Sequence, residues 1–180
     1  MKEKIIKINE LDEVFSSQKI KGKKIVLCHG VFDLLHIGHI KHFQEAKTLG
    51  DILIVSVTPD QYVNKGPGRP AFSTSFRLQA IAALQSVDYV IANKWPTAED
   101  TIKIIKPDIY CKGPEYKDHL DDITGKINDE EAAVNFVGGK IVYTDDITFS
   151  SSSLLNKFGD LYSLEQESFI QGLLAKNSFE

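Results

Sequence analysis

GVFDLLHIGH, at residues 30–39, is the stretch that decides the interpretation of this chain. It follows an apolar segment at residues 24–28 and precedes residues 40–47, whose composition is that of a helix. The start of a helix presents unpaired N–H groups and the positive end of its dipole. His36 and His39 lie on one face of that helix, and Gly38 lets a ligand approach the backbone. The stretch predicts a site for a triphosphate whose α–β bond breaks.

Composition narrows the class of protein. A chain of 180 residues with 42% hydrophobic residues is expected to form one domain with a real core. Its formal net charge of −4 argues against nucleic acid as the main partner, because neutralising phosphates requires a basic face. Cys28 and Cys111 both lie in apolar, strand-like runs, so we expect free buried thiols in a reducing compartment.

The termini and the apolar runs give no sign of export or membrane insertion. No apolar run approaches the ~20 residues that a membrane-spanning helix needs. The first eight residues, MKEKIIKI, are too short and too charged for the apolar region of a signal peptide. We therefore expect a cytoplasmic protein with neither membrane nor nucleic acid as partner.

Apolar runs alternate with helical patterns along the chain. We predict strands near residues 24–28, 52–57, 87–91, 108–111 and 140–143. We predict helices from the histidine run to about residue 49, over 73–85, over 97–105 and over 150–158. This alternation predicts the α/β class, with a parallel sheet of about five strands flanked by helices. Residues 1–160 would form the domain, and residues 161–180 a tail that serves as a linker or an association helix.

Four features follow predicted strands: the histidine run, a glycine- and proline-rich loop at 58–72, Lys112-Gly113 and a serine run at 150–153. Ligands of such folds bind beyond the carboxyl ends of the strands. We therefore expect these features to converge on one site.

The run at residues 30–39 resembles the HxGH signature of the cytidylyltransferase-like nucleotidyltransferases, and the resemblance covers roughly residues 22–157. It implies a Rossmann-like fold that joins a nucleoside monophosphate to a phosphorylated acceptor and releases pyrophosphate. Within the superfamily, the chain is most similar to the adenylyltransferase domain that makes ADP-heptose. That similarity rests on residues 30–39, 65–70, 81–90 and 106–117. The glycerol-3-phosphate cytidylyltransferases come next: they share the first stretch and the final Ser/Thr motif but match the lysine–glycine loop less well.

The resemblance implies roles for individual residues. His36 and His39 would contact the nucleotide phosphates, and Lys65 would cover the site from its loop, which makes these three the candidate catalytic residues. The candidate substrate-binding residues are Asp33, Arg69 and Arg77. Guanidinium groups suit phosphate geometry, although Arg77 could instead be a surface residue. The candidate nucleotide-binding residues are Gly30, Val31, Phe32, Gly38, Lys112, Gly113, Ser150, Ser151 and Ser152. The serines could also act only as a helix N-cap.

A metal site held by the protein is disfavoured. His42 would lie on a different helix face from His36, and no carboxylate or thiol is expected to complete a ligand set. Mg²⁺ would arrive with the triphosphate instead. The acidic segment 117–131 is interpreted as a solvated loop by default, although it could shape acceptor specificity.

The resulting expectation is transfer of a nucleoside monophosphate, with ATP favoured, to a sugar phosphate destined for surface polysaccharide. The alternative is CTP with glycerol 3-phosphate or another polyol phosphate. A non-catalytic nucleotide-sensing module is a third interpretation. A class I aminoacyl-tRNA synthetase, which also carries a literal HIGH sequence, is excluded by chain length and acidic balance. The resemblance further implies a homodimer and a sugar kinase, either fused or separate, that supplies the acceptor.

Overall fold

The computed structural model describes residues 4–16, 21–66, 68–116 and 127–145, which belong to a compact unit, Met1–Thr148. The strands are β1 Ile25–Gly30, β2 Ile52–Val57, β3 Tyr89–Ala92, β4 Ile109–Lys112 and β5 Lys140–Tyr143. The α-helices are α1 Leu11–Ser16, α2 Ile37–Thr48, α3 Thr74–Ala82, α4 Glu99–Ile105 and α5 Ile127–Phe136. Short 3₁₀ turns occur at Ile8–Glu10, Asp60–Tyr62 and Pro114–Tyr116.

The five strands form one parallel sheet in the order β3-β2-β1-β4-β5. The predicted class and the five predicted strands are therefore confirmed. The chain leaves β1 toward β2 on one side and returns to β4 on the other side of β1. This reversal creates a crevice beside the carboxyl end of β1, which is where ligands bind in open α/β sheets.

Alternate residues of the strands supply two hydrophobic cores, one on each face of the sheet. The first core contains Val26 and Cys28 with Phe43 of α2 and Ile81 of α3. The second contains Leu27 and Tyr110, together with side chains from α1, α4 and α5. Every residue of β2 is buried, as expected for a strand covered by helices on both faces. No α-helix within the described residues is long and apolar enough to cross a membrane.

Two sequence-based expectations about the second face are wrong. The segment 117–131 was expected to be a solvated loop, but its last residues are helical, since α5 begins at Ile127. Glu130 in this helix is only 4% exposed. The helix predicted to begin at residue 97 begins at Glu99, with Ala98 as its N-cap. The backbone N–H of Ala98 donates instead to the carboxylate of Glu130 at 3.2 Å, so a carboxylate from α5 caps α4 across the interface.

Candidate active site

The histidine run joins β1 to α2. His36 is the N-cap of α2, in extended conformation and with no side-chain capping hydrogen bond, and Gly38 is buried in the first turn. The imidazole rings of His36 and His39 stack, with centroids 3.8 Å apart and planes 23° apart. The structure therefore brings the two histidines together at the positive end of a helix dipole, as the sequence predicts.

Phe32 packs against His39 of this pair. Its φ is +49°, and its ring meets the His39 ring edge-on, with centroids 5.4 Å apart. The same ring covers Gly30, where an added Cβ would lie 2.9 Å from the Phe32 ring. Glycine is therefore required at residue 30 for packing. Nucleotide contacts from Gly30, Val31 and Phe32 stay predictions.

His39 is uncharged in this environment. Burial, followed by the positive charges of His36, His42 and Lys65, lowers the pKa of His39 to about 3. Among the described residues, its Nδ1 is a buried atom without a hydrogen-bond partner, and so is Nη2 of Arg69. Buried polar atoms without partners are uncommon in folded proteins, so these two nitrogens favour a polar ligand near the carboxyl end of β1.

The low pKa of His39 predicts an acid-dependent loss of stability. Between about pH 3 and 6.5 the unfolded chain binds this proton and the folded chain does not, so the free energy of unfolding falls as the pH falls. One such proton contributes about 1.4 kcal/mol per pH unit. Urea unfolding of the wild type and of His39→Asn at pH 7.5, 6.0 and 5.0 measures this contribution. A shallower pH dependence in the variant is expected, and equal slopes would contradict the assignment.

Asp33 and Arg69, both predicted to bind substrate, pair with each other. The Asp33 carboxylate is buried and accepts hydrogen bonds from Arg69 Nε and, at 3.2 Å, from the Phe72 backbone N–H. This ion pair fastens the glycine- and proline-rich loop to the loop that follows β1. Nη2 of Arg69 stays buried without a hydrogen-bond partner among the described residues.

Arg77 ties together the loops at this edge of the sheet. Its side chain is 1% exposed, so the alternative that it is a surface residue is wrong. The guanidinium donates to the carbonyl oxygens of Val31, Thr58 and Phe72 and to the carboxylate of Asp60. Because these acceptors engage all three nitrogens, the contacts favour a positioning role. Direct substrate binding by Arg77 stays a prediction.

Lys112 lies at the end of β4, but its side chain faces the second core. Its ammonium contacts the Glu130 carboxylate at 2.9 Å and lies 4.2 Å from the centre of the Tyr116 ring. The Tyr110 hydroxyl donates to the same carboxylate at 2.9 Å. Burial, followed by the Glu130 charge, raises the pKa of Tyr110 well above its usual value. A nucleotide contact near Lys112-Gly113 would therefore come from backbone groups.

Sequence reasoning missed Glu130 and Tyr110 as partners of Lys112. A signal was present: Glu130 precedes Ala133 and Val134 at helical spacing, which places it on the apolar face of α5.

Sequence reasoning also missed a set of three potential metal-ligand atoms. Contrary to the expectation that no thiol accompanies His42, donor atoms of Cys28, His42 and Cys111 all lie within 4.8 Å of one another.

Lys65 is exposed, and its charge is one of the causes that lower the pKa of His39, which puts its ammonium within electrostatic range of the histidine pair. The three candidate serines, Ser150–Ser152, lie outside the described residues, as do the acidic residues 117–126 and the predicted tail.

The chain matches proteins of known family over most of its length. The family described as cytidylyltransferase-like matches residues 27–158. The bifunctional protein HldE of a Nitratiruptor species is 43% identical over 142 residues, which are 77% of this chain and 30% of that protein. HldE of Campylobacter jejuni subsp. doylei is 39% identical over 159 residues, 86% of this chain and 32% of that protein. The chain thus spans about a third of the length of these relatives.

Solved structures share the fold. The lipopolysaccharide core biosynthesis protein from Thermoplasma volcanium has a TM-score of 0.59 and 32% identity, covering 71% of this chain and 100% of its own. Pantoate-beta-alanine ligase from Francisella tularensis has a TM-score of 0.57 and 20% identity, over 82% of this chain and 68% of its own. At that identity the second comparison supports the fold alone.

The parallel sheet with its crevice beside β1, the paired histidines at the start of α2 and the match over residues 27–158 agree with one another. The chain belongs to the cytidylyltransferase-like family of nucleotidyltransferases.

Proposed function

We propose that this chain transfers AMP from ATP to a sugar 1-phosphate, with heptose 1-phosphate as the leading candidate, and releases pyrophosphate. The observation that carries the proposal is the stacked pair of His36 and His39 at the start of α2, with a buried nitrogen of His39 lacking a partner among the described residues. This pair offers ring N–H groups and a helix dipole to one anion.

The reaction that suits this geometry needs no protein nucleophile. A phosphate oxygen of the acceptor attacks the α-phosphorus in line, the bond to the bridging oxygen breaks, and pyrophosphate leaves. Catalysis of such a step is mainly positioning and charge stabilisation. His36 and His39 would stabilise the α-phosphate as charge builds on it, and Lys65 would add a cation from its loop. Ser150, Ser151 and Ser152 would hold the leaving group.

Mg²⁺ is expected to accompany the triphosphate. At this edge of the sheet the carboxylates of Asp33 and Asp60 are each paired with an arginine. Because both carboxylates are already paired, we expect the phosphate oxygens of the nucleotide to hold the ion, and not a set of protein ligands alone. Bound there, Mg²⁺ would neutralise charge on the departing pyrophosphate.

The choice of a sugar phosphate as acceptor and of ATP as nucleotide is supported by similarity to other nucleotidyltransferases and to a solved structure. The stretches at 65–70 and 106–117 resemble the adenylyltransferases that make ADP-heptose more than the glycerol-3-phosphate cytidylyltransferases. The similar protein from Thermoplasma volcanium is described as a lipopolysaccharide core biosynthesis protein, which supports a sugar phosphate bound for a surface polysaccharide. CTP with a polyol phosphate is the remaining alternative.

The deciding experiment measures pyrophosphate release with ATP and with CTP, each against heptose 1-phosphate and glycerol 3-phosphate. Release with ATP and the sugar phosphate is expected. Release with CTP alone would keep the reaction and overturn the choice of base. Silence with every pair, while nucleotide still binds in a calorimeter, would favour the nucleotide-sensing interpretation.

Lys65→Ala is expected to lower turnover by about 10-fold to 100-fold without changing the melting temperature. The effect should be smaller than the ~10²–10³-fold cost of a lost buried donor, because an exposed ammonium is partly screened by solvent. Lys103→Ala is the matched control, since it removes an exposed lysine from α4. Equal rates for Lys65→Ala and Lys103→Ala would remove Lys65 from the mechanism.

The proposed function also implies protein partners and a cellular location for this chain. The relatives are bifunctional proteins about three times as long as the matched region, which is consistent with a sugar kinase, fused or separate, that supplies the acceptor. We also propose a homodimer and a cytoplasmic location, where ATP is made and where the thiols of Cys28 and Cys111 stay reduced.

A further inference from the structure

Cys28, Cys111 and His42 form a compact set of donors beneath the histidine pair. Cys28 of β1 and Cys111 of β4 are partners in register across two parallel strands, so their side chains project from the same face of the sheet. His42 reaches them from α2, and the two sulfur atoms and a ring nitrogen lie within 4.8 Å of one another. Both cysteines are buried free thiols.

We propose that these three residues bind one Zn²⁺ ion between β1, β4 and α2. Thiolate and imidazole are the ligands that Zn²⁺ prefers, and two thiolates with one imidazole neutralise the ion in a core of low polarity. Ligands of a tetrahedral zinc are separated by about 3.5–3.8 Å, given bond lengths near 2.0–2.3 Å. The donors therefore need to approach by at most about 1.0–1.3 Å, which small side-chain adjustments provide.

A hydrogen bond already orients the imidazole. Nδ1 of His42 lies 3.0 Å from Oγ1 of Thr144, which follows β5, and that hydroxyl lies 3.4 Å from the carbonyl oxygen of Lys112. Ligating histidines are commonly held by such contacts, which set the ring orientation and tautomer. Thr144 is thus a positioning residue for the proposed site.

Binding exchanges protons for the ion. Each thiol gives up its S–H proton to solvent as its sulfur bonds to Zn²⁺, so two protons are released and no oxidant or reductant is involved. The bound ion would link α2 to the carboxyl ends of β1 and β4. It would thereby fix the helix that carries His36 and His39, three to six residues before His42.

The test uses the full chain, purified without a metal-binding tag from medium supplemented with zinc. We expect one equivalent of zinc by mass spectrometry of the metal content. We also expect a thiolate-to-cobalt charge-transfer band when Co²⁺ is added to the metal-free protein. Absence of both from the wild type would overturn the proposal. This readout does not depend on any variant folding.

Variants then locate the ion. Cys28→Ala, Cys111→Ala and His42→Phe should each abolish stoichiometric zinc, and Thr144→Val should weaken it by about 10–100-fold. His39→Asn is the matched control, because it removes a neighbouring imidazole on α2 and should keep both the zinc and the cobalt band. Loss of metal from His39→Asn with retention in Cys28→Ala would place the ion at the histidine pair and overturn the assignment.

Discussion

His39→Asn lowers the rate of pyrophosphate release by about 10²–10³-fold, which is the cost of losing one charge-stabilising donor in a preorganised site. The buried Nδ1 of His39 has no partner among the described residues, and its ring stacks on His36. Asparagine can place an amide N–H near the position of Nδ1, but it lacks Nε2 and the ring that stacks on His36. Because the substitution removes only the stacking on His36 and the edge contact with Phe32, the melting temperature at pH 7.5 should stay close to that of the wild type.

The measurement is kcat with saturating ATP and acceptor, together with nucleotide affinity by calorimetry. Loss of kcat with retained affinity identifies an interaction made in the transition state. His36→Asn should behave similarly, and the double variant should lose less than the product of the two single losses, because the two rings act on one phosphate. Unchanged turnover in His39→Asn would sink the proposed mechanism.

Glu130→Gln lowers the free energy of unfolding by about 3–5 kcal/mol, the cost of leaving a buried charge without its partner. The ammonium of Lys112 and the carboxylate of Glu130 are 7% and 5% exposed, and Tyr110 donates to the same carboxylate. Glutamine preserves the volume and removes the charge. The loss therefore reports the uncompensated ammonium and one lost acceptor oxygen for the neighbouring donors, rather than a cavity. Urea unfolding at pH 7.5 measures it.

Glu99→Gln is the matched control on the neighbouring helix. Its partner Lys103 lies at 2.6 Å, but the side chains of Lys103 and Glu99 are 43% and 39% exposed, so the loss should stay below about 0.5 kcal/mol. Replacing both buried partners, as Lys112→Met with Glu130→Met, should recover part of the loss, since no charge then remains buried. A Glu130→Gln variant as stable as Glu99→Gln would show that Lys112 finds another partner.

Residues 30–39 by themselves indicate much of the fold and of the site. A strand, a glycine-containing turn and a helix depend on hydrogen bonds and hydrophobic periodicity among residues close in sequence. The sequence therefore predicts them. The same holds for β2, whose continuous apolar run predicts a strand buried on both faces. The helix α5 escapes sequence-based prediction because charged residues interrupt its apolar pattern.

Contacts between residues far apart in the chain follow from the tertiary structure and not from local sequence patterns. The sequence does not show whether a charged side chain faces solvent or a buried counter-charge. Only the strand order places Lys112 against Glu130, and only the crossing of the loops surrounds Arg77 with carbonyl oxygens. Cys28 and Cys111 became neighbours through the register of β1 with β4. The local elements and the histidine pair are predictable from the sequence alone, because they depend on residues a few positions apart. The sheet topology determined which side chains are buried together, because burial depends on contacts that no spacing encodes.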